Sequence, residues 1–448
     1  MILMAKHKVG FFEDDITGPI GFPQTGYMER TKVSEGINDR LFCRTMCLDF
    51  DSRKYAIISL DLCGVDRKFR EKTCSLINKM TNIPEENVLI SATHTHSGMD
   101  GFLLGWNFKI DKFPAVKFYR SKDLAEEEST RVVRDFIAYK VAGSVYACSQ
   151  NMLESNLSYY SANLLGVCTN REDPSAPFDS ELIAIKFKAA DNKPSGCLLN
   201  YSCHPTVLGY DNYLYSADFV GYACELLKLS FGNYFVPLYL SGACAEISTR
   251  FTRKNQTFQG AKRLGYMLGS KALLLLNSIG QEEELTEVSS LAREVQLPLR
   301  KLPSYNEALE LLNESKKEYE LLKNSGASPP ELRVAWTKVD GALDALGRIE
   351  LGATNDKVAS IIQAIKINNI VIIGVPGELH SNIALMLKEY GSKLGKRVVV
   401  VGYANDYLGY ILPPEEYKKQ NYETIISQFD EKGVNLLTNE LKLLIRDI

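Results

Sequence analysis

The sequence predicts an α/β fold, with a central, mostly apolar β-sheet covered by helices and an inserted helical hairpin. Three observations predict it. Short β-forming runs alternate with long amphipathic segments along most of the chain, the pattern of layered helices and sheet. Several of those runs are apolar at nearly every position, as strands covered on both faces are. No Pro/Gly/Ser-rich linker or shift in composition cuts the 448 residues, so residues 1–448 are expected to form one large domain.

In chain order, strands are predicted at YAIISLDL (55–62), NVLISAT (87–93), ELIAIKFK (181–188), SGCLLNYSC (195–203), FVPLYLSG (235–242), NNIVIIGVPG (368–377) and RVVVVGYA (397–404). Apolar residues at helical spacing predict helices over 123–150, 218–230, 257–278 and 377–393. Asp218 fits the opening of the second of these, as a capping residue. Residues 304–350 differ from the rest, reading as two polar amphipathic helices joined at NSGASPP, hence a hairpin inserted within the domain. The segment EKGVNLLTNELKLLIRDI is expected to close the chain as a helix.

Composition excludes several classes of function. Lys+Arg 52 against Asp+Glu 55 leaves a net charge of −3, with no basic stripe for nucleic acid or anionic lipid. No apolar run approaches the about 20 residues that span a bilayer. The opening MILMAKHKVG lacks the apolar core of a secretory signal. The ten cysteines are scattered without CxxC spacing, which predicts reduced, buried thiols and a cytoplasmic protein.

The chain holds only five histidines, and two of them, His94 and His96, stand together in VLISATHTHSGMD. If this run stays extended, residues i and i+2 point to one face. On its own the pair fits hydrogen-bonded core histidines better than a metal. His204 changes the weight, because it too ends an apolar run, in CLLNYSCHPTV, and Glu378 ends a third, IVIIGVPGE. In open α/β sheets, sites lie outside the carboxyl ends of strands. Two histidines and a glutamate from separate strand ends suit a hydrolytic Zn²⁺ that keeps a position open for water. The five tyrosines of GYANDYLGYILPPEEYKKQNYE (402–423) read without context as packing at a surface loop, or beside a metal as ligand or oxyanion donor.

The order of these strings resembles one family: DDITGPIGFPQTGY (14–27), EGINDRLFCRTMCLDF (35–50), AIISLDLCGVD, ATHTHSG, NREDPS, YSCHPTVLG, VPGEL and NDYLGYILPPEEYKKQNYE. It is the neutral/alkaline, non-lysosomal ceramidases, zinc amidohydrolases. The resemblance implies one Zn²⁺ per chain on His94, His204, Glu378 and Tyr410. It also implies proton transfer by His96 and oxyanion stabilisation by Arg171 and Tyr422, with zinc-activated water attacking an amide carbonyl.

Three departures bear on substrate. The family's HTHSGP reads HTHSGMD here, which changes the rim at Met99 and Asp100, and its GDVSPN reads GACAEI, with Ala245 where the family carries a serine. The family's C-terminal immunoglobulin-like domain has no counterpart after Tyr422, so a short cytoplasmic relative is expected. The expected substrate is a small-molecule or lipid-like amide: an N-acyl amine, N-acyl amino acid, lactam or ceramide-like compound. A true ceramidase and a non-catalytic, metal-organised binding protein are the alternatives.

Overall fold

In strand Arg53–Leu60, neighbouring side chains go to different cores: Ala56, Ile58 and Leu60 face a layer of helices, while Tyr55 and Ile57 face a second sheet. That alternation explains why the strand is apolar throughout. The computed structural model describes residues 7–27, 30–103, 127–189, 194–350, 356–419 and 421–448.

The larger sheet has eight strands, in chain order β1 (Lys8–Asp15), β2 (Phe42–Phe50), β3 (Arg53–Leu60), β4 (Val88–Ala92), β5 (Leu153–Asn163), β6 (Glu181–Ala189), β7 (Pro194–Tyr201) and β8 (Val236–Ser241), arranged 8-7-6-5-1-2-3-4. Only the outermost pairs, β3–β4 and β7–β8, run parallel. The smaller sheet joins β9 (Val288–Pro298), β10 (Lys357–Ile367), β11 (Ile370–Gly374) and β12 (Arg397–Val401) in that order, with β11 and β12 parallel.

The two sheets pack face to face, Ile57 and Leu89 of one meeting Ile370, Ile372 and Val399 of the other. Helices α1 (Arg67–Thr81), α2 (Glu127–Gln150), α3 (Asp218–Phe231) and α4 (Phe258–Leu276) cover the outside of the larger sheet, and Ser381–Lys393 and Glu431–Asp447 cover the smaller. The α/β class is borne out, but the sheet's second face is closed by another sheet instead of by helices. Residues 304–350 form two antiparallel helices, Tyr305–Asn324 and Pro329–Glu350, the first opened by a capping box of Ser304 and Glu307.

Strands β1 and β2 escaped the sequence reading because they carry buried charge. Arg44 in β2 lies between Glu13 at 2.8 Å and Asp61 at 2.9 Å. His7 stacks on Phe50 at 3.9 Å. The ten cysteines are all free and buried, as expected.

One feature of the larger sheet positions the site. It curls until its two edges meet, so that Ser241 Oγ at the end of β8 donates to the carbonyl of Thr93, just past β4, at 2.9 Å. Strong coiling of this kind follows from the right-handed twist of strands. The ends of β4 and β7 thereby come to one place, and Gly402, just past β12, joins them by donating to Ser241 O at 2.9 Å.

Candidate active site

His94 follows β4 in a left-handed conformation, φ 68°. The run is therefore not extended through SATHTH: the strand ends at Ala92, and the turn brings the rings of His94 and His96 together. Their Nε2 atoms are 3.2 Å apart. A non-glycine residue in this region costs on the order of 1 kcal/mol. The backbone N–H of His94, bonded to Leu62 O at 2.9 Å, holds it there. His94 Nδ1 donates to Cys63 O at 2.6 Å, and the ring stacks on Tyr403 at 3.9 Å. Gly26 presses on the other histidine, since a Cβ there would lie 2.4 Å from His96 Cγ.

His204 follows β7 and is fixed in the same manner, with Nδ1 donating to Cys244 O at 2.5 Å and its backbone N–H to Ile247 O at 3.0 Å. Glu378 and Tyr410 are directly paired in a two-stranded parallel ribbon, Glu378–Leu379 beside Tyr410–Ile411. Gly377 permits the close approach, because a Cβ at its φ of 158° would lie 2.5 Å from Gly409 O.

Glu378 Oε2 lies 2.9 Å from His204 Nε2 and 3.6 Å from His94 Nε2. The three groups sit within 4.8 Å of one another, all buried. Yet His204 Nε2 has no hydrogen-bond partner. With both Nδ1 atoms committed as donors to carbonyls, the Nε2 lone pairs face a shared space beside a carboxylate, which is the donor arrangement of a divalent-cation site. The protonation states agree. Burial pulls His94 down to about 4, keeping it neutral; burial of Glu378 opposes ionisation, but His94, His204 and Tyr407 outweigh it and bring the carboxyl down to about 2.

Arg171, just past strand Thr169–Asn170, forms the opposite wall. Its Nη2 donates to the Tyr410 hydroxyl at 3.2 Å and its Nε to Glu423 Oε1 at 2.6 Å. The guanidinium lies over both the Tyr410 ring at 5.7 Å and the Tyr422 ring at 5.6 Å. Burial opposes its charge, but Glu423 and Tyr410 raise its pKa further. Tyr422 opens the short helix Tyr422–Ile426, capped by Asn421, and its ring meets that of Tyr410 at 5.6 Å. All seven expected residues thus fall in one connected cluster. The tyrosine-rich run is a wall of the site, not surface-loop packing: Tyr403 and Tyr410 are buried.

Sequence reasoning missed the partners that hold these groups. Tyr407 donates its hydroxyl to Glu378 Oε1, and Tyr403 donates to Oε2 at 3.4 Å. Tyr407→Phe is expected to leave the fold intact and weaken metal binding by about 10–100-fold, as loss of a partner behind a ligand does. Titration with a competing chelator checks this, and unchanged affinity would show that Glu378 needs no such support. Asp218 is the first residue of its helix and not the N-cap, which is Ala217; its carboxylate accepts from Leu208 N at 3.0 Å and Phe219 N at 2.6 Å, a structural part. His380 is buried and caps helix Ser381–Lys393 by accepting from Asn382 N.

Glu246, beside Ala245, was also missed. Its carboxylate accepts from Ser381 N at 3.1 Å, and burial outweighs that bond, pushing its pKa from 4.5 up to about 7. A raised folded pKa stabilises below the unfolded value and loses that contribution as pH rises through the folded one. Wild type is therefore expected to lose up to about 3 kcal/mol between pH about 4.5 and 7 that Glu246→Gln keeps. Denaturant melts of both proteins across that range test it; parallel curves would contradict it.

The model of the neutral/alkaline non-lysosomal ceramidase N-terminal region matches residues 7–234 and 319–436. A neutral ceramidase from Drosophila melanogaster is 24% identical over 96% of this chain and 72% of its own length. The neutral ceramidase of Pseudomonas aeruginosa is 22% identical over 93% of this chain and 68% of its own. The crystal structure of the Pseudomonas aeruginosa neutral ceramidase superposes with a TM-score of 0.74 at 21% identity, covering 98% of this chain and 74% of that one. A ceramidase complexed with C2 superposes at 0.73. The family match over most of the sequence and the shared fold lead to one conclusion: this chain belongs to the neutral/alkaline non-lysosomal ceramidase family of C–N hydrolases.

Proposed function

We propose that this protein is a cytoplasmic, zinc-dependent amidohydrolase that holds one Zn²⁺ per chain on His94, His204, Glu378 and Tyr410. The observation that carries the reading is the convergence of three buried donors, with His204 Nε2 2.9 Å from the Glu378 carboxylate yet making no well-directed hydrogen bond. When bound, Zn²⁺ supplies a water acidified to near neutral pH and a polarised carbonyl.

The chain's own residues do the rest. His96 enters neutral, because burial and the neighbouring histidines hold it well below its ordinary pKa. Its Nε2 accepts a proton from the attacking water and returns it to the leaving nitrogen. Arg171, held charged by Glu423, and Tyr422 donate to the developing oxyanion, a type of contact worth about 3–4 kcal/mol. Ala245 offers no nucleophile, in keeping with direct attack by water. Ten buried free thiols support the cytoplasmic placement, and among the described residues no helix is long and apolar enough to cross a membrane.

Within this chemistry the substrate is an N-acyl amine, N-acyl amino acid, lactam or ceramide. Long-chain ceramide is a second reading that the relatives' names favour. Release of free amine from such a panel, before and after chelation, tests the proposal. Chelator-sensitive turnover supports it, and turnover indifferent to chelation would refute the metal's part.

A further inference from the structure

Among the described residues, five arginines are buried, and four of them carry a carboxylate partner: Arg44 with Glu13 and Asp61, Arg70 with Glu85, Arg134 with Asp66, and Arg171 with Glu423. Arg30 does not. It is 5% exposed, and its Nε and Nη2 are buried with no acceptor. Only Nη1 is used, donating to His96 O at 2.9 Å and Thr25 O at 3.3 Å. The guanidinium lies 5.4 Å from the centre of the Tyr27 ring, which meets His96 edge-on at 4.8 Å. Among the described groups that chiefly bear on its charge, Asp211 is the carboxylate, and it acts from an exposed position.

A buried cation lacking a counter-ion and two of its acceptors is costly. Burial accordingly drags the pKa of Arg30 below its ordinary value. The side chain is nevertheless tied to the backbone of the residue proposed to move the proton. The free Nε–Nη2 edge has the geometry that receives a carboxylate through two parallel hydrogen bonds.

Resting on the amidohydrolase reading above, we propose that the substrate carries a carboxylate on its amine half, as an N-acyl amino acid does, and that Arg30 binds it. Ceramide has no such group. Water adds its oxygen to the acyl carbon and the C–N bond breaks. One water proton passes to the departing nitrogen, so the products are a carboxylic acid and a free amino acid. Arg30 fixes which half of the amide lies toward His96, where the leaving nitrogen needs its proton.

The test compares N-octanoylglycine with its neutral isostere N-octanoylglycinamide and with a short-chain ceramide, using the metal-loaded protein. The acid is expected to exceed the glycinamide in kcat/KM by about tenfold or more, the scale of a hydrogen-bonded charge. That ratio should fall toward one in Arg30→Met and be partly kept in Arg30→Lys, which has the charge but not the fork. Equal use of acid and glycinamide by wild type, or a preference that survives Arg30→Met, overturns the proposal. Turnover of ceramide alone does so while leaving the amidohydrolase standing. If no amide is cleaved, the amidohydrolase reading fails instead, and calorimetry of N-octanoylglycine decides on Arg30. Binding lost in Arg30→Met supports the site, and no carboxylate-dependent binding refutes it. Should Arg30→Met not fold, Arg30→Lys carries the comparison, and an unchanged ratio there overturns it.

Discussion

His204→Ala is expected to yield a folded protein without its metal, with content falling from about one ion per chain to near zero and amide turnover falling by roughly 10³-fold or more. His204 Nε2 is a buried atom that makes no hydrogen bond, and His204 is the closer of the two imidazoles to Glu378. Without it His94, Glu378 and Tyr410 remain of the four proposed ligands, and the site loses one of its two neutral nitrogen donors, the one nearer the carboxylate. The change also strips the Cys244 carbonyl of the donor it receives at 2.5 Å, a loss of about 1–3 kcal/mol when such a group stays buried. Elemental analysis, amine release and a thermal melt read the three effects separately. A variant that kept both its metal and its turnover would sink the ligand assignment.

His96→Ala separates catalysis from binding. The metal is expected to remain, because His96 stands beside His94 and not among the three converging donors, while kcat falls by about 10²–10⁴-fold through lost proton transfer. Removal of the ring also opens space against Gly26 and Tyr27, so the melt should be followed alongside kcat. Undiminished turnover in a metal-replete variant would reduce His96 to a packing residue. No turnover in either protein, with metal bound, would favour the binding-protein alternative.

The sequence made the site easier to read than the fold. His94, His204 and Glu378 each stand where an apolar run breaks, and that punctuation survives without knowledge of how strands are ordered. The packing of sheet on sheet left no such mark, since Ile57 looks the same whether a helix or another strand covers it. The left-handed turn at His94 was hidden too: nothing in THTH distinguishes an extended run from a tight one. Tyr403, Tyr407 and Glu423 touch the functional groups only through the tertiary fold. Arg30 was silent for a further reason: its distinction is the lack of a partner, which only the surrounding structure reveals.

The curled sheet and the parallel Glu378–Tyr410 ribbon have a consequence for folding. His94 and Tyr410 stand 316 residues apart in the sequence (410 − 94), so the complete donor set forms only when contacts of long sequence separation have closed. Closing contacts of such sequence separation is slow and comes late in folding. Capture of a cation at this site is thus expected to follow folding and not to guide it, since no short stretch of the chain carries a competent donor set by itself.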